Sequence, residues 1–469
     1  MTITLKDLQE KVRLQKELVP ALYGNVDFEM TPERFTDDPN VESMISGKLE
    51  KKYRKKLLRD KESIERARAY TMLGDTVADA YAALMVKQYR FRELVDMLDQ
   101  ACEYGVESVP NAPEELVQFI AAMEKIPEWL DMDLVDQGAR HSRIHMATLV
   151  PFALRGTFIA TFMNKYSGLP MSMTGTLSGN SAARRVNETG SFFTSATLPG
   201  ALRRNGNAFK AAAKVRLMHS MVRYDFLSKP GKWDCETYGI PIPQVDQMPA
   251  GTIPAFLTAF KVIQQGRKHF TRSERGIVEL CRYQSYLLGL PEELLPGTPR
   301  EIFNIMMTYS STLREGYDDT VGGELVRATM AGYRPRDKSL KSRIYNEIEK
   351  SFSRVFFHQI FTGVTGKPYA KIMGVEADLK DYALFAAANC YILPQMGFHM
   401  VAEKIPILDG IADKSLIKKI HHLLTEYGHA EFITDSSDYS YTKKPAIKPI
   451  TGIAKSNVLP WKGGQPATA

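Results

Sequence analysis

Cysteine is scarce. The chain carries four in 469 residues, Cys102, Cys235, Cys281 and Cys390, far apart and with no C-x-x-C pair among them. That spacing excludes a zinc ribbon, a thioredoxin-type centre and the C-x-x-C-H attachment of c-type haem, and it points to a reducing compartment. Alternating strand-like runs joined by hairpin turns are almost missing, which sets the class as all-α. Charge of one sign is missing too: 61 basic against 54 acidic side chains leave a net charge of +7, too even for a whole-chain nucleic-acid binder. The opening MTITLKDLQEKVRLQKELVPALYG has no basic-then-apolar layout and no twin arginine, so no export signal is expected and the chain is placed in the cytoplasm. Long uninterrupted apolar runs are lacking. The two nearest, residues 144–163 and 382–402, contain Arg155 and, in the second, Asn389, Pro394, Gln395 and His399. Both read as buried core helices rather than transmembrane segments.

What is present is helix after helix. An apolar fraction of 44% and a charged fraction of 25% belong to an ordinary globular chain. In 60–87, Ile64, Tyr70, Leu73, Val77, Ala80 and Leu84 recur at spacings of mostly three or four, with charge on the other face. Comparable windows cover 90–104, 113–126, 133–166, 180–197, 206–227, 254–288, 299–309, 340–361, 377–402 and 415–427, with proline and glycine punctuating the gaps. No solenoid period exists. The expected organisation is one multi-helix body over 1–433, followed by an extended tail over 434–469 rich in Lys, Pro, Gly and Ser.

Two stretches carry chemistry. In 205–227, NGNAFKAAAKVRLMHSMVRYDFL, the alanine run and Gly-Asn opening favour a helix. Arg216, three residues before His219, and Arg223, four after it, share the histidine's face, with Val215 and Val222 at neighbouring offsets. An imidazole among apolar side chains flanked by two guanidiniums suits an iron porphyrin: apolar walls for the ring, a neutral nitrogen for the iron, cations for the propionates. A lone histidine on such a helix also simply packs or meets solvent, and two arginines can grip a phosphate or carboxylate instead. In 180–197, NSAARRVNETGSFFTSAT, Arg185 and Thr189 stack four apart on one face, with Phe192 and Phe193 a turn later. That is a polar spot in an apolar setting, able to hold dioxygen by hydrogen bonds. The plain alternative is a surface arginine and a threonine bonded back to its own helix.

Together the spacing Arg185-x-x-x-Thr189, then Arg216-Leu-Met-His219-Ser-Met-Val-Arg223, resembles the rubber oxygenases (latex clearing proteins) and the related MpaB-type oxygenases. Further matching pieces are Pro127-Glu-Trp129-Leu-Asp131 before a long helix, a loop over 166–175, Tyr238-Gly-Ile-Pro241-Ile-Pro-Gln244-Val-Asp246 with a helix from Pro254, and YQSYLLGLPEELL at 283–295. The likeness covers about 126–299. It implies a helical fold with a globin-like core, non-covalent haem b (iron protoporphyrin IX), His219 as the proximal iron ligand, Arg216 and Arg223 on the propionates, and Arg185 and Thr189 in or near the distal pocket. The implied activity is oxidative cleavage of a carbon–carbon double bond by O₂ to two carbonyl products. Where some rubber oxygenases have a lysine that caps the iron, this chain has Glu188, read either as a distal base or gate or as an exposed helix carboxylate. The family's glutamate ahead of the motif has no counterpart, since 165–179 contains no acid. With no export signal, the expected substrate is a small apolar alkene, isoprenoid or aryl, rather than a polymer. A haem monooxygenase or peroxygenase and a non-catalytic haem carrier or gas sensor are the alternatives; oligomeric state is open.

Other signals are weaker. His141 and His145 downstream of Asp131, Asp133 and Asp136 read as a polar helix face before a metal site. Glu426-Tyr-Gly-His429 is a lone E-x-x-H, where a di-iron site needs two. Gly363-Val-Thr-Gly366-Lys367-Pro368 has the wrong spacing for a phosphate loop, and the glycines at 175 and 179 read as a cap for the next helix. The basic runs 48–59 and 443–448 read as solvated surface.

Overall fold

The computed structural model describes residues 3–44, 48–86, 89–174, 181–362 and 367–428. The tail over 434–469, the basic run 443–448, His429, the glycines at 175 and 179, and most of the 363–368 segment lie outside the described residues.

In chain order the α-helices are α1 (Leu5–Leu18), α2 (Pro20–Tyr23), α3 (Lys48–Leu57), α4 (Lys61–Thr71), α5 (Thr76–Ala83), α6 (Phe91–Tyr104) and α7 (Glu114–Glu124). Then come α8 (Met132–Thr148), α9 (Val150–Ile159), α10 (Lys165–Met173), α11 (Ser181–Ser195), α12 (Asn207–Leu227), α13 (Cys235–Tyr238) and α14 (Gln244–Gln264). The set closes with α15 (Arg272–Leu287), α16 (Pro299–Thr312), α17 (Glu324–Ala331), α18 (Leu340–Phe357), α19 (Tyr369–Ile372), α20 (Leu379–Ala402) and α21 (Pro406–Tyr427). No strand occurs among the described residues, which hold only two isolated bridges, Phe35 with Leu313 and Ser43 with Arg314. The class is all-α.

Several long windows are broken, each for a local reason. The 133–166 window splits into α8 and α9, which meet at 91°, because Pro151 cannot donate into a continuing helix and instead occupies the first turn of α9. The 254–288 window splits at Gly266, whose φ of 68° ends α14 in the left-handed region. Conversely α14 begins at Gln244, ten residues before the expected Pro254, and carries Pro249 and Pro254 in its interior. The expected loop at 166–175 is mostly helix α10, capped by Asn164, whose side chain accepts from Tyr166 N, with Pro170 inside it. The run at 48–59 is not wholly solvated: Arg54 is buried and donates to the carbonyl oxygens of Ser311, Val41 and Asp38.

Two apolar clusters organise the middle of the chain. The first joins α1, α5, α6, α7, α12 and α15 through Tyr81, Leu94, Phe119, Phe209, Leu217 and Leu280. The second joins α9, α11, α17 and the end of α18 through Leu154, Phe158, Val186, Leu325 and Phe357. Helix α11 belongs to both, giving Ala182 and Val186 to the second and Phe192 to the first. Its middle turn therefore lies at the seam. Helices α8 and α15 cross closely at Gly138, where a Cβ would stand 2.0 Å from Gly276 O, so a side chain there would force them apart.

Most of 144–163 is buried as expected, with Arg155 fully enclosed and only Thr157 and Thr161 exposed. The segment 382–402 is not. In α20 only Asp381, Ala388, Ile392 and Ala402 are buried, while Leu393, Phe398 and Val401 are each about 60% exposed. Sequence pattern alone gave the wrong answer because an uncharged helix looks the same whether its outer face meets protein or not. Each large apolar side chain left outside forgoes about 1.5–3 kcal/mol of burial.

Candidate functional site

Helix α12 is locally well specified. Gly206 at its N-cap has extended backbone, and Ala208 N and Phe209 N both donate to Ala201 O, satisfying early amides that the helix itself cannot pair. Its inner face (Ala208, Ala212, Leu217, Met221) is buried. A second stripe, Ala211, Val215, Met218 and His219, is only partly buried although it is mostly apolar. On α11, Arg185, Thr189 and Phe193, spaced by four, form a matching half-buried stripe. Arg185 Nη1 lies 3.6 Å from Met218 Sδ, which places the two stripes against each other.

His219 is the chemical centre of this seam. Its Nδ1 stands 3.1 Å from Gln247 Oε1, and Gln247 Nε2 donates in turn to Gln244 Oε1 at 2.9 Å. That chain orients the amide, so Gln247 presents its acceptor and the imidazole proton belongs on Nδ1. No hydrogen bond reaches Nε2 among the described residues, which leaves its lone pair uncommitted. Burial, followed by the positive charge of Arg223, pushes the imidazole pKa down to about 4, so the ring is neutral at physiological pH. Gln247 is itself held, because the turn of α14 that carries it is pinned by Asp246. Asp246 accepts from Arg34 Nη1 at 3.0 Å and from Tyr309 Oη at 3.0 Å.

The two arginines flanking His219 both reach α5. Arg216 Nε and Nη2 donate to Asp75 at 2.7 and 2.8 Å, and the guanidinium packs over the Phe119 ring. Arg223, fully enclosed, pairs with Asp79 and donates to Pro241 O and Ile242 O at 3.1 and 2.8 Å. Asp75 is also the N-cap of α5, and Tyr23 Oη donates to Asp79. Both cations are thus neutralised within the protein, clamping α12 to α5 on either side of His219. Low-dielectric surroundings require buried carboxylates such as these to be paired, and Arg216 and Arg223 supply that pairing here.

Across the seam, Glu188 Oε2 accepts from Arg185 Nη1 at 3.2 Å, and its other oxygen is 3.9 Å from Arg184 Nε. Glu188 is therefore a partly buried carboxylate shared by two arginines of its own helix. Thr189 shows no bond back to its helix carbonyls among the described residues, unlike Thr148, which donates to Ile144 O at 2.5 Å. Phe193 borders the seam, whereas Phe192 is buried behind it. His141, by contrast, is engaged with Glu403 at 3.0 Å and lies ring to ring 6.0 Å from His145.

The donor set fits a haem. It offers one neutral imidazole with a free Nε2, a supporting amide on Nδ1, and apolar stripes on two facing helices. Gln247, Asp75 and Asp79 escaped the sequence reading. Asp79 left one signal, an acid inside the alanine-rich TVADAYAA helix, while Gln247 left none. A cavity of about 570 Å³, walled by Tyr70, Trp129, Val245, Met248 and Ile305, lies beside α14 and includes none of His219, Arg185 or Thr189. Donor chemistry, not that cavity, marks the site.

Over residues 142–389, more than half of its length and including both α11 and α12, the chain matches the family described as "ER-bound oxygenase mpaB/B'/Rubber oxygenase, catalytic domain". It is 24% identical over 205 residues to the rubber oxygenase of Streptomyces sp. (strain K30), covering 43% of this chain and 47% of that protein. The match thus spans about half the length of that relative. In fold it is similar to latex clearing protein LCP in the closed state, with a TM-score of 0.52 and 17% identity over 76% of this chain and 91% of that one. The match reaches well past the 126–299 stretch on which the sequence resemblance rested. The chain belongs to the mpaB/B'/rubber oxygenase catalytic-domain family.

Proposed function

We propose that this oxygenase-family chain uses haem b and O₂ to cleave the carbon–carbon double bond of a small apolar alkene, isoprenoid or aryl, into two carbonyl products. The observation that carries the reading is His219, neutral, with Nδ1 committed to Gln247 and Nε2 without a hydrogen-bond partner among the described residues, next in sequence to Met218, which touches Arg185 of α11. In this reading His219 would hold the iron through Nε2, and haem b would supply the oxygen-activating redox chemistry. Gln247 keeps the proton on Nδ1 and the ring in one orientation. Arg185, steadied by Glu188, and Thr189 would be the hydrogen-bond donors available to O₂ from α11, which makes Glu188 a positioning residue. Phe193 and Val215 supply an apolar wall for the alkene, and the seam keeps bulk water from the reacting carbons.

Cleavage of one C=C by one O₂ places one oxygen atom on each new carbonyl. Turnover of an isoprenoid alkene such as squalene under ¹⁸O₂, with products trapped at once by borohydride reduction, is expected to label both fragments. Label on one product alone contradicts cleavage of this type and favours monooxygenase chemistry.

A further inference from the structure

The segment 382–402 runs for twenty-one residues without an Asp, Glu, Lys or Arg. It forms most of α20, and its outer face has no protein cover among the described residues. Of the 22 large apolar side chains exposed among the described residues, 11 fall between Leu379 and Ile411. They continue around the bend into α21, where Ile407 is 82% and Ile411 66% exposed. Solvated proteins seldom leave so much apolar surface in one place unless something covers it.

The charges on the same two helices say what kind of cover. Four carboxylates along and between them face the body: Asp381 contacts Arg354, Glu403 His141, Asp409 Arg140 and Asp413 Arg143. The exposed cations are left over. Lys380 opens α20, Lys404 sits at the bend, and Lys414 and Lys418 follow Ile407 and Ile411 along one stripe of α21. None of these four lysines makes an ion pair among the described residues. An uncharged apolar strip edged by unpaired lysines, with Asp409 and Asp413 paired to arginines on its inner side, is complementary to an anionic lipid surface. A second copy docked face to face would set lysines against lysines in an isologous contact.

No helix among the described residues is long and apolar enough to cross a membrane, so the contact is one of lying on the surface. We infer that α20 and the first turns of α21 form a peripheral membrane-docking face for anionic bilayers, seating Leu393, Phe398, Val401 and Ile407 at the acyl boundary with Lys404, Lys414 and Lys418 among the headgroups. Residues 390–411 lie beyond the family-matched segment. The inference does not rest on haem or on the proposed reaction.

The test is co-sedimentation of the full chain with phosphatidylcholine vesicles, with and without phosphatidylglycerol. Binding is expected only when phosphatidylglycerol is present, and it should weaken as salt rises. Leu393→Glu with Phe398→Glu is expected to weaken binding roughly ten-fold or more, and Lys414→Glu with Lys418→Glu to abolish the preference for anionic lipid. These positions are exposed, and an unchanged helical circular dichroism spectrum and melting temperature show that the variants are folded. No binding to either vesicle overturns the inference, as does equal binding to both. A dimer in solution that Leu393→Glu/Phe398→Glu dissociates, with no vesicle binding, assigns the face to a second copy instead.

Discussion

His219 reaches the state a metal ligand needs by two separate routes. Burial and the nearby Arg223 charge disfavour the imidazolium, while Gln247 chooses which nitrogen keeps the proton. In the unfolded chain the ring takes up its proton near the ordinary 6.5, and in the fold only near 4. As pH falls, the unfolded state therefore binds the proton first. This residue's contribution to stability is complete above about 6.5 and is lost as pH drops toward 4. The same shift predicts that the His219 ring resonances of the haem-free protein do not titrate between about pH 7 and 5. A titration centred near 6.5 would contradict it. Gln247→Leu removes the acceptor without removing volume and is expected to weaken haem affinity about 10–100-fold, read by haem transfer to apomyoglobin. His219 itself was legible in the sequence, from its arginine-flanked helix. Gln247 was not, because 28 residues and a turn of chain separate it from its partner.

At the scale of elements, the two arginines of α12 show where sequence reasoning stops. Their spacing about His219 was plain, and it was read as a cradle for propionates. The structure sends both to Asp75 and Asp79, more than 140 residues earlier on α5, a pairing that no local pattern encodes. Stability and haem affinity separate the two roles. If Arg223 is a clamp, Arg223→Ala destabilises the haem-free protein by about 3–5 kcal/mol, because Asp79 is left charged and buried. A variant with unaltered apoprotein stability in urea, but weakened haem binding, would restore the propionate reading. Helix existence was largely legible, from period and punctuation. Breaks were less so: Pro151 ends one helix by starting the next, while Pro249 and Pro254 sit inside α14. The exposure of α20 was illegible, since apolar periodicity reports what a helix is made of and not what lies against it.

Across the whole molecule, the candidate site lies where two apolar clusters meet, and α11 is held at that seam by a buried network. Arg155 donates to Glu349 at 2.9 Å, Arg334 pairs with the same carboxylate at 2.8 Å, and Arg334 also donates to Asn187 on α11 at 3.0 Å. This network fixes the Arg185 face from behind, as the Asp75 and Asp79 pairs fix the His219 face. The all-α class and the family's two motifs could be read from the chain alone; the clamps that give those motifs a shape could not, because each joins segments far apart in sequence. The most direct test of the account is the absorption spectrum of the purified protein and of His219→Ala, as isolated and after dithionite with CO. The account predicts a Soret band in the parent protein that shifts on reduction and CO binding, a b-type pyridine haemochrome, and no retained haem in His219→Ala, whose fold is otherwise unchanged by circular dichroism. A parent protein that takes up no haem on reconstitution, or a His219→Ala variant that keeps its full complement, would contradict it.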